Sequence, residues 1–239
     1  MITYSDKFSI PAVLAPGCAI DSFPPPHAAL REPNGLIAIG ADLNPERLLY
    51  AYRRSIFPWY SANQPILWWS PQPRFVIFSK DIKVSRSLSR TMRKKPFEVT
   101  VNQAFSAVIE ACAQPRASQH ETWITPQMQS SYIRLHELGH AMSVECWQEE
   151  RLAGGLYGIQ SGRVFFGESM FTRVTDASKV ALVSLSRMGF SLIDCQVPNP
   201  HLESLGAVAL ERSRFLQLIS KLSGDRRPSA ALSSFDYES

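Results

Sequence analysis

Two short apolar stretches each carry one carboxylate: Gly167-Glu168-Ser169-Met170-Phe171 and Leu192-Ile193-Asp194-Cys195-Gln196. A carboxylate can take up a proton or hold a cation, and apolar surroundings sharpen both uses because they penalise unpaired charge. Side chains alternate between the faces of a strand, so Glu168 is expected to share a face with Met170, and Asp194 with Gln196. The stretch between them reads as a helix that starts at Asp176 and stops at Gly189. Strand, helix and strand of these lengths form a crossover that would set both acids in one sheet.

A second group of residues is basic. Ser85 to Lys95 reads as a helix bringing Arg86, Arg90, Arg93 and Lys94 together at i, i+3 and i+4 spacings, with Lys95 next to them. No acid interrupts these cations, and such a face repels itself until an anion meets it, which favours phosphate binding over a merely solvated surface. The third group is aromatic: Ile56-Phe57-Pro58-Trp59-Tyr60 and Ile66-Leu67-Trp68-Trp69-Ser70-Pro71. Trp68 and Trp69 read equally as a small core or as a rigid wall, whereas Trp59, in a proline-limited loop, is suited to stacking on a base or an apolar ligand.

Other chemistry is poorly served. The five histidines show no HExxH-like spacing and the four cysteines form no CxxC pair, so no metal site and no cofactor is expected, and the thiols read as reduced. No nucleophile elbow, P-loop or GxGxxG occurs. Arg151-Leu152-Ala153-Gly154-Gly155 is faintly similar to the pyrophosphate loop of acyl-CoA acetyltransferases, but Leu156 stands where a small residue is needed and a strand follows.

The chain has 239 residues, 45% of them hydrophobic and 19% charged, with a net charge of +4. That composition suits a folded protein with a large core and excludes a disordered chain or a coiled coil. No run reaches the roughly 18 apolar residues of a membrane span. The apolar Ile10–Ile20 region contains Pro11, Pro16 and Gly17 and lacks a basic leader, so a cytoplasmic protein is expected.

The elements that must position these groups follow in order. Prolines 11, 16, 24, 25, 26 and 33 imply an irregular arm over the first forty residues. Gly35 to Gly40 reads as a strand, and Asn44-Pro45 opens a helix running to about Arg54. Phe75 to Phe78 begins a second domain. Helices are predicted over Asn102–Ala113 and Thr125–Leu138, then a meander of strands at Ala141–Trp147, Leu152–Ile159 and Arg163–Phe171. After the crossover come a short helix from Pro200, a last helix over Glu211–Leu222, and a tail frayed beyond about residue 223. The residues alone therefore describe an α/β protein with a sheet-borne acidic site, an aromatic wall and a basic helix.

The chain carries in order Leu30-Arg31-Glu32-Pro33-Asn34-Gly35-Leu36, Ile56-Phe57-Pro58-Trp59, Trp68-Trp69-Ser70-Pro71 and Thr122-Trp123-Ile124-Thr125. There follow Leu135-His136-Glu137-Leu138-Gly139-His140, Gly154-Gly155-Leu156-Tyr157-Gly158, Gly167-Glu168-Ser169-Met170-Phe171, Ala177-Ser178-Lys179 and Asp194-Cys195-Gln196. The resemblance these motifs carry, from about Phe23 to Leu222, is to the leucyl/phenylalanyl-tRNA–protein transferases. It implies a small N-terminal domain, residues 1–72, joined to an acetyltransferase-like (GNAT-type) α+β domain, residues 73–239, around a mixed, mostly antiparallel sheet. It also implies transfer of Leu, Phe or Met from aminoacyl-tRNA to proteins beginning with Arg or Lys, which marks them for degradation, by a monomer that needs no cofactor.

By the same resemblance, Asp194, working through or beside Gln196, would take the proton from the attacking α-amino group or instead only bind the cationic acceptor, and Glu168 would hold the donor's ammonium. Leu156, Phe166 and Met170 would line the pocket for the amino-acid side chain. Trp59, Tyr52, Trp123 and Tyr132 would surround the tRNA 3′ end, and Arg86, Arg90, Arg93, Lys94 and Lys95 would grip its backbone. Ala41 and Ser55 stand where that family usually has glycine, and the Glu168–Asp194 span is about one helical turn shorter than usual there. An acyl-CoA-dependent acetyltransferase and a tRNA-binding module without activity are the alternatives.

Overall fold

The computed structural model describes residues 10–115 and 122–224. The predicted frayed tail and the first nine residues lie outside these apart from residues 223 and 224.

Two sheets share one core. The smaller holds β1 (Ala12–Leu14), β2 (Leu36–Gly40), β3 (Phe57–Pro58) and β4 (Leu67–Trp69) in the order β1-β2-β4-β3. The larger holds β5 (Arg74–Phe78), β6 (Glu98–Val101), β7 (Ala141–Gln148), β8 (Arg151–Ser161), β9 (Val164–Thr172), β10 (Leu192–Gln196) and β11 (Val208–Leu210). Its order is β11-β5-β10-β9-β8-β7-β6, antiparallel throughout except for the parallel pair β9 and β10. The β7-β8-β9 meander and the parallel crossover between β9 and β10 are thus as the sequence predicts.

Four helices begin where short polar side chains accept the first free amides. In α1 (Pro45–Arg53) Asn44 accepts from Glu46 N at 3.0 Å, and in α2 (Arg86–Arg93) Ser85 accepts from Leu88 N at 3.2 Å. After α3 (Phe105–Ala113), α4 (Pro126–Glu137) starts with Thr125 accepting from Met128 N at 3.2 Å. The crossover helix α5 (Ala177–Ser186) differs: Asp176 precedes it at φ 70°, with its carboxylate turned to Lys179 and Thr91 instead of capping. The last helices are α6 (Pro200–Ser204) and α7 (Arg212–Leu222). Residues of α1, α3, α4 and α7 pack with the small sheet into one hydrophobic cluster, and those of α2 and α5 into a second.

Several expectations need correction. The N-terminal arm is not wholly irregular, because β1 pairs in parallel with β2, its prolines lying just outside the paired residues. The aromatic stretch contributes two strands, and Trp68 is a core residue whose indole N–H donates to Gly40 O at 2.9 Å. Strands β6 and β11 were not anticipated. Arg151–Gly155 lies inside β8, so it forms no loop ahead of a helix. Gly154 there admits α5: a Cβ on it would sit 2.6 Å from the Ala177 side chain.

Two departures from the glycine pattern acquire a physical meaning. Ala41 and Ser55 both adopt left-handed backbone conformations, with φ of 61° and 66°. An L-residue pays about 1–2 kcal/mol for that conformation and glycine does not.

Candidate active site

The site opens where the sheet comes apart. Strand β10 pairs with β9 only from Leu192 opposite Val164 to Asp194 opposite Phe166. Beyond that point β9 runs on beside β8 to Thr172, while β10 shifts register against β5 between Asp194 and Gln196. A cavity of about 850 Å³ lies against the separated strands, lined by Gly167 to Thr172 from one and Asp194 to Val197 from the other.

A bulge decides which side chains enter it. Register shifts between Tyr157–Ser169 and Gly158–Gly167, which inserts Glu168 as an extra residue in β9. Gly158 makes the bulge possible, since a Cβ there would lie 2.1 Å from Phe166 O. In consequence Glu168 and Met170 do not share a face, contrary to simple alternation. Glu168 turns toward Tyr52 and Tyr132 of the first cluster, and Met170 packs against the second.

Glu168 is buried among hydrogen-bond donors. Tyr52 donates to its Oε1 at 2.6 Å, Gln196 Nε2 to the same oxygen at 2.9 Å, and Tyr132 to Oε2 at 2.9 Å. The hydroxyls of Tyr52 and Tyr132 also contact each other. Two hydroxyl protons cannot serve all three contacts among Tyr52, Tyr132 and an ionised Glu168, so this cluster is one proton short. Burial pushes the Glu168 carboxyl up to about 7, assisted by the charge of Asp194 and opposed by the three donors. Burial likewise raises the Tyr52 and Tyr132 hydroxyls well above their ordinary range.

Asp194 has a different setting. Arg74 meets it in a two-pronged ion pair, Nε to Oδ1 at 2.8 Å and Nη2 to Oδ2 at 2.6 Å, with both side chains fully buried. The guanidinium lies over the rings of Phe57 and Phe215, at 4.6 and 4.9 Å, and donates to Ser55 O at 3.2 Å. Oδ1 also accepts the Gln196 backbone N–H at 3.0 Å. Gln196 itself is held at φ 65°, so its backbone answers one acid and its side chain the other.

The remaining candidates divide. Trp59, Trp123, Leu156 and Met170 line the cavity. Trp59 is 44% exposed and rests against Trp69 at a centroid distance of 6.0 Å. Tyr52 and Tyr132 do not line it but stand behind Glu168. Phe166 points to the opposite layer, packed on Tyr52 at 5.2 Å, and its neighbour Phe165 lines the cavity instead. The basic residues Arg86, Arg90, Arg93, Lys94 and Lys95 are all exposed on or just after α2, whose Leu88 and Met92 face the core, and none lines the cavity. Arg74, Phe165, Leu182 and Ile193 were missed. Arg74 did leave a signal: a lone cation opening the apolar run Phe75-Val76-Ile77-Phe78 has to be paired if it is buried.

Among the described residues no cluster of three metal-binding side chains occurs, and no helix is long and apolar enough to cross a membrane.

A sheet parted between two strands, with an apolar recess running in from a polar edge that titrates near neutrality, defines an enzyme site for a group that is apolar at one end and polar at the other. The family described as leucyl/phenylalanyl-tRNA protein transferase matches residues 76–220, and its N-terminal domain matches residues 41–72. The leucyl/phenylalanyl-tRNA–protein transferase of Stutzerimonas stutzeri is 55% identical over 214 residues, covering 88% of this chain and 94% of that protein. Its counterpart from Shewanella baltica is 54% identical over 206 residues, covering 84% and 87%. The chain belongs to the leucyl/phenylalanyl-tRNA–protein transferase family. A solved GCN5-related N-acetyltransferase from Kribbella flavida overlaps 67% of this chain and 59% of its own, at 10% identity and a TM-score of 0.36.

Proposed function

We propose that this aminoacyltransferase moves Leu, Phe or Met from aminoacyl-tRNA to the α-amino group of proteins that begin with Arg or Lys, forming a peptide bond that marks them for degradation. It does so as a monomer in the cytoplasm, with residues 1–72 and 73–239 as its two domains. The observation that carries this reading is the apolar recess of Leu156, Phe165 and Met170 running up to Glu168 and Gln196. Such a recess fits an unbranched, apolar side chain while the polar edge receives the amino end of the same residue.

The chemistry assigned to each group follows from its partners. Gln196 Nε2 donates to Glu168, so its carbonyl oxygen faces away from that carboxylate, free to accept an N–H of an attacking amine. Asp194, with both oxygens engaged by Arg74, serves to position Gln196 through its backbone N–H. As the amine attacks the ester carbonyl, the C–N bond forms, the bond to the ribose oxygen breaks, and the proton shed by nitrogen leaves with that oxygen. Trp59 and Trp123 form stacking surfaces for the terminal adenine, worth about 1–3 kcal/mol per base. The exposed cations of α2 hold the tRNA backbone without reading its sequence.

Incubation with radiolabelled Leu-tRNA or radiolabelled acetyl-CoA and a peptide starting with Arg tests the activity. Leucine label alone should reach the peptide; acetyl label would point to a CoA-dependent enzyme, and neither label to a binding module. Reversing charge with Arg90→Glu should raise the tRNA concentration needed for half-maximal rate, and transfer should fall steeply from low to moderate salt. A flat salt response would remove α2 from the tRNA-binding surface.

A further inference from the structure

Behind the mouth of the cavity one polar atom has no partner. Tyr157 lines the cavity from β8 and is fully buried, and its hydroxyl makes no hydrogen bond among the described residues. Its ring is fixed edge-on against Tyr132 and Phe105, each at a centroid distance of 5.8 Å, so the hydroxyl is held in one place. Buried polar groups are almost always satisfied, and one left open beside a cavity calls for a ligand atom. Tyr157 and Glu168 line the same cavity, and the Tyr132 ring that Tyr157 packs against carries the hydroxyl that donates to Glu168 Oε2.

Counting lone pairs shows what the pair offers. Oε1 of Glu168 accepts from Tyr52 and Gln196, and Oε2 accepts only from Tyr132, leaving one acceptor position on Oε2. The Tyr157 oxygen brings two further lone pairs. Even with the Tyr157 proton counted, the open acceptor positions outnumber the free donors, and a primary amine or ammonium supplies up to three in a compact head. We propose that Tyr157, with the open position of Glu168, forms the seat for the α-amino group of the donor amino acid. This assignment rests on the aminoacyl-transfer reading and gives it a selectivity: a free amine is accepted, whereas an ester whose amine is missing or blocked is not.

The test compares the full chain with Tyr157→Phe, using two donors on the same tRNA: leucine, and the 2-hydroxy acid of identical carbon skeleton, whose hydroxyl carries one donor and no charge. Tyr157→Phe should fold with an unchanged or slightly higher melting temperature, because it removes an unsatisfied buried hydroxyl. It should lower kcat/KM for leucine by roughly tenfold to a hundredfold, chiefly through KM, as expected for a lost hydrogen bond to a charged group. The hydroxy-acid donor should lose much less, so that discrimination between the two donors narrows. Wild-type kcat/KM for leucine in the variant, or equal losses for both donors, overturns the assignment while leaving the transferase reading intact. A wild-type chain that transfers neither ester overturns the transferase reading and this seat with it.

Discussion

Glu168 and Asp194 stand on adjoining strands and touch the same glutamine, yet one is surrounded by neutral donors and the other is clasped by a cation. Around Glu168 lie two tyrosine hydroxyls and one amide, which do not offset the burial of a charge, and its carboxyl is raised to about 7. Around Asp194 the Arg74 guanidinium supplies an opposite charge within hydrogen-bonding distance of both oxygens. Burial alone therefore does not decide what an acid does. A buried carboxylate with hydroxyl partners becomes a group that titrates at working pH, and one with a guanidinium partner becomes a fixed strut.

The largest effect should come from breaking the strut. Asp194→Ala strands a guanidinium between the rings of Phe57 and Phe215, and a buried pair that loses one member destabilises by about 3–5 kcal/mol. Denaturant unfolding would measure it, and the paired change Asp194→Met with Arg74→Met should recover most of the loss. A loss under about 1 kcal/mol for Asp194→Ala would mean that the pair does not anchor this region.

Next in size is a pH effect at Glu168. Its folded carboxyl titrates near 7 against an ordinary value of 4.5, so the folded chain holds this proton more tightly than the unfolded one. The resulting stabilisation is complete below about pH 4.5 and is lost as pH rises through about 7, a change of roughly 3 kcal/mol. Glu168→Gln, which cannot titrate, should remove that slope from unfolding free energies measured between pH 5 and about 8. The same titration predicts that donor kcat/KM climbs through about pH 7 as the carboxylate forms, and that the amide variant lacks the rise.

The smallest expected change sharpens the comparison further. Tyr52→Phe removes one of the donors that favour ionised Glu168, which should move its titration upward by about one unit, or 1.4 kcal/mol. The midpoint of the pH–rate profile reports it. A downward shift would show that the tyrosines are not what keeps this acid ionisable.

Much of the frame was legible in the chain because its signals are local. Asn44-Pro45, Ser85 and Thr125-Pro126 open helices as expected, since a cap needs only a side chain within reach of the next two or three amides. The apolar runs of strand length that become β7 to β9, bounded by turn residues, and the crossover to β10 likewise follow from local composition and segment length. The three-residue strands β1 and β11 were hidden because segments that short have no readable period and exist only through their partners. Met170 lines the cavity as expected and Phe166 does not, for one reason: alternation sets the two on one face, and a single inserted residue at Glu168 puts them on opposite faces.

Residue types and their spacing thus determined where helices and long strands form, which acids sit in the sheet, and that a basic face exists on α2. Tertiary structure alone decided that Arg74, 120 residues away in sequence, would neutralise Asp194, while Glu168 would meet only the neutral donors of Tyr52, Tyr132 and Gln196. The division is physical: hydrogen-bonding reach along a chain is a matter of a few residues, whereas the electrostatic character of a buried acid is set by whichever side chains the fold brings within about 3 Å of it.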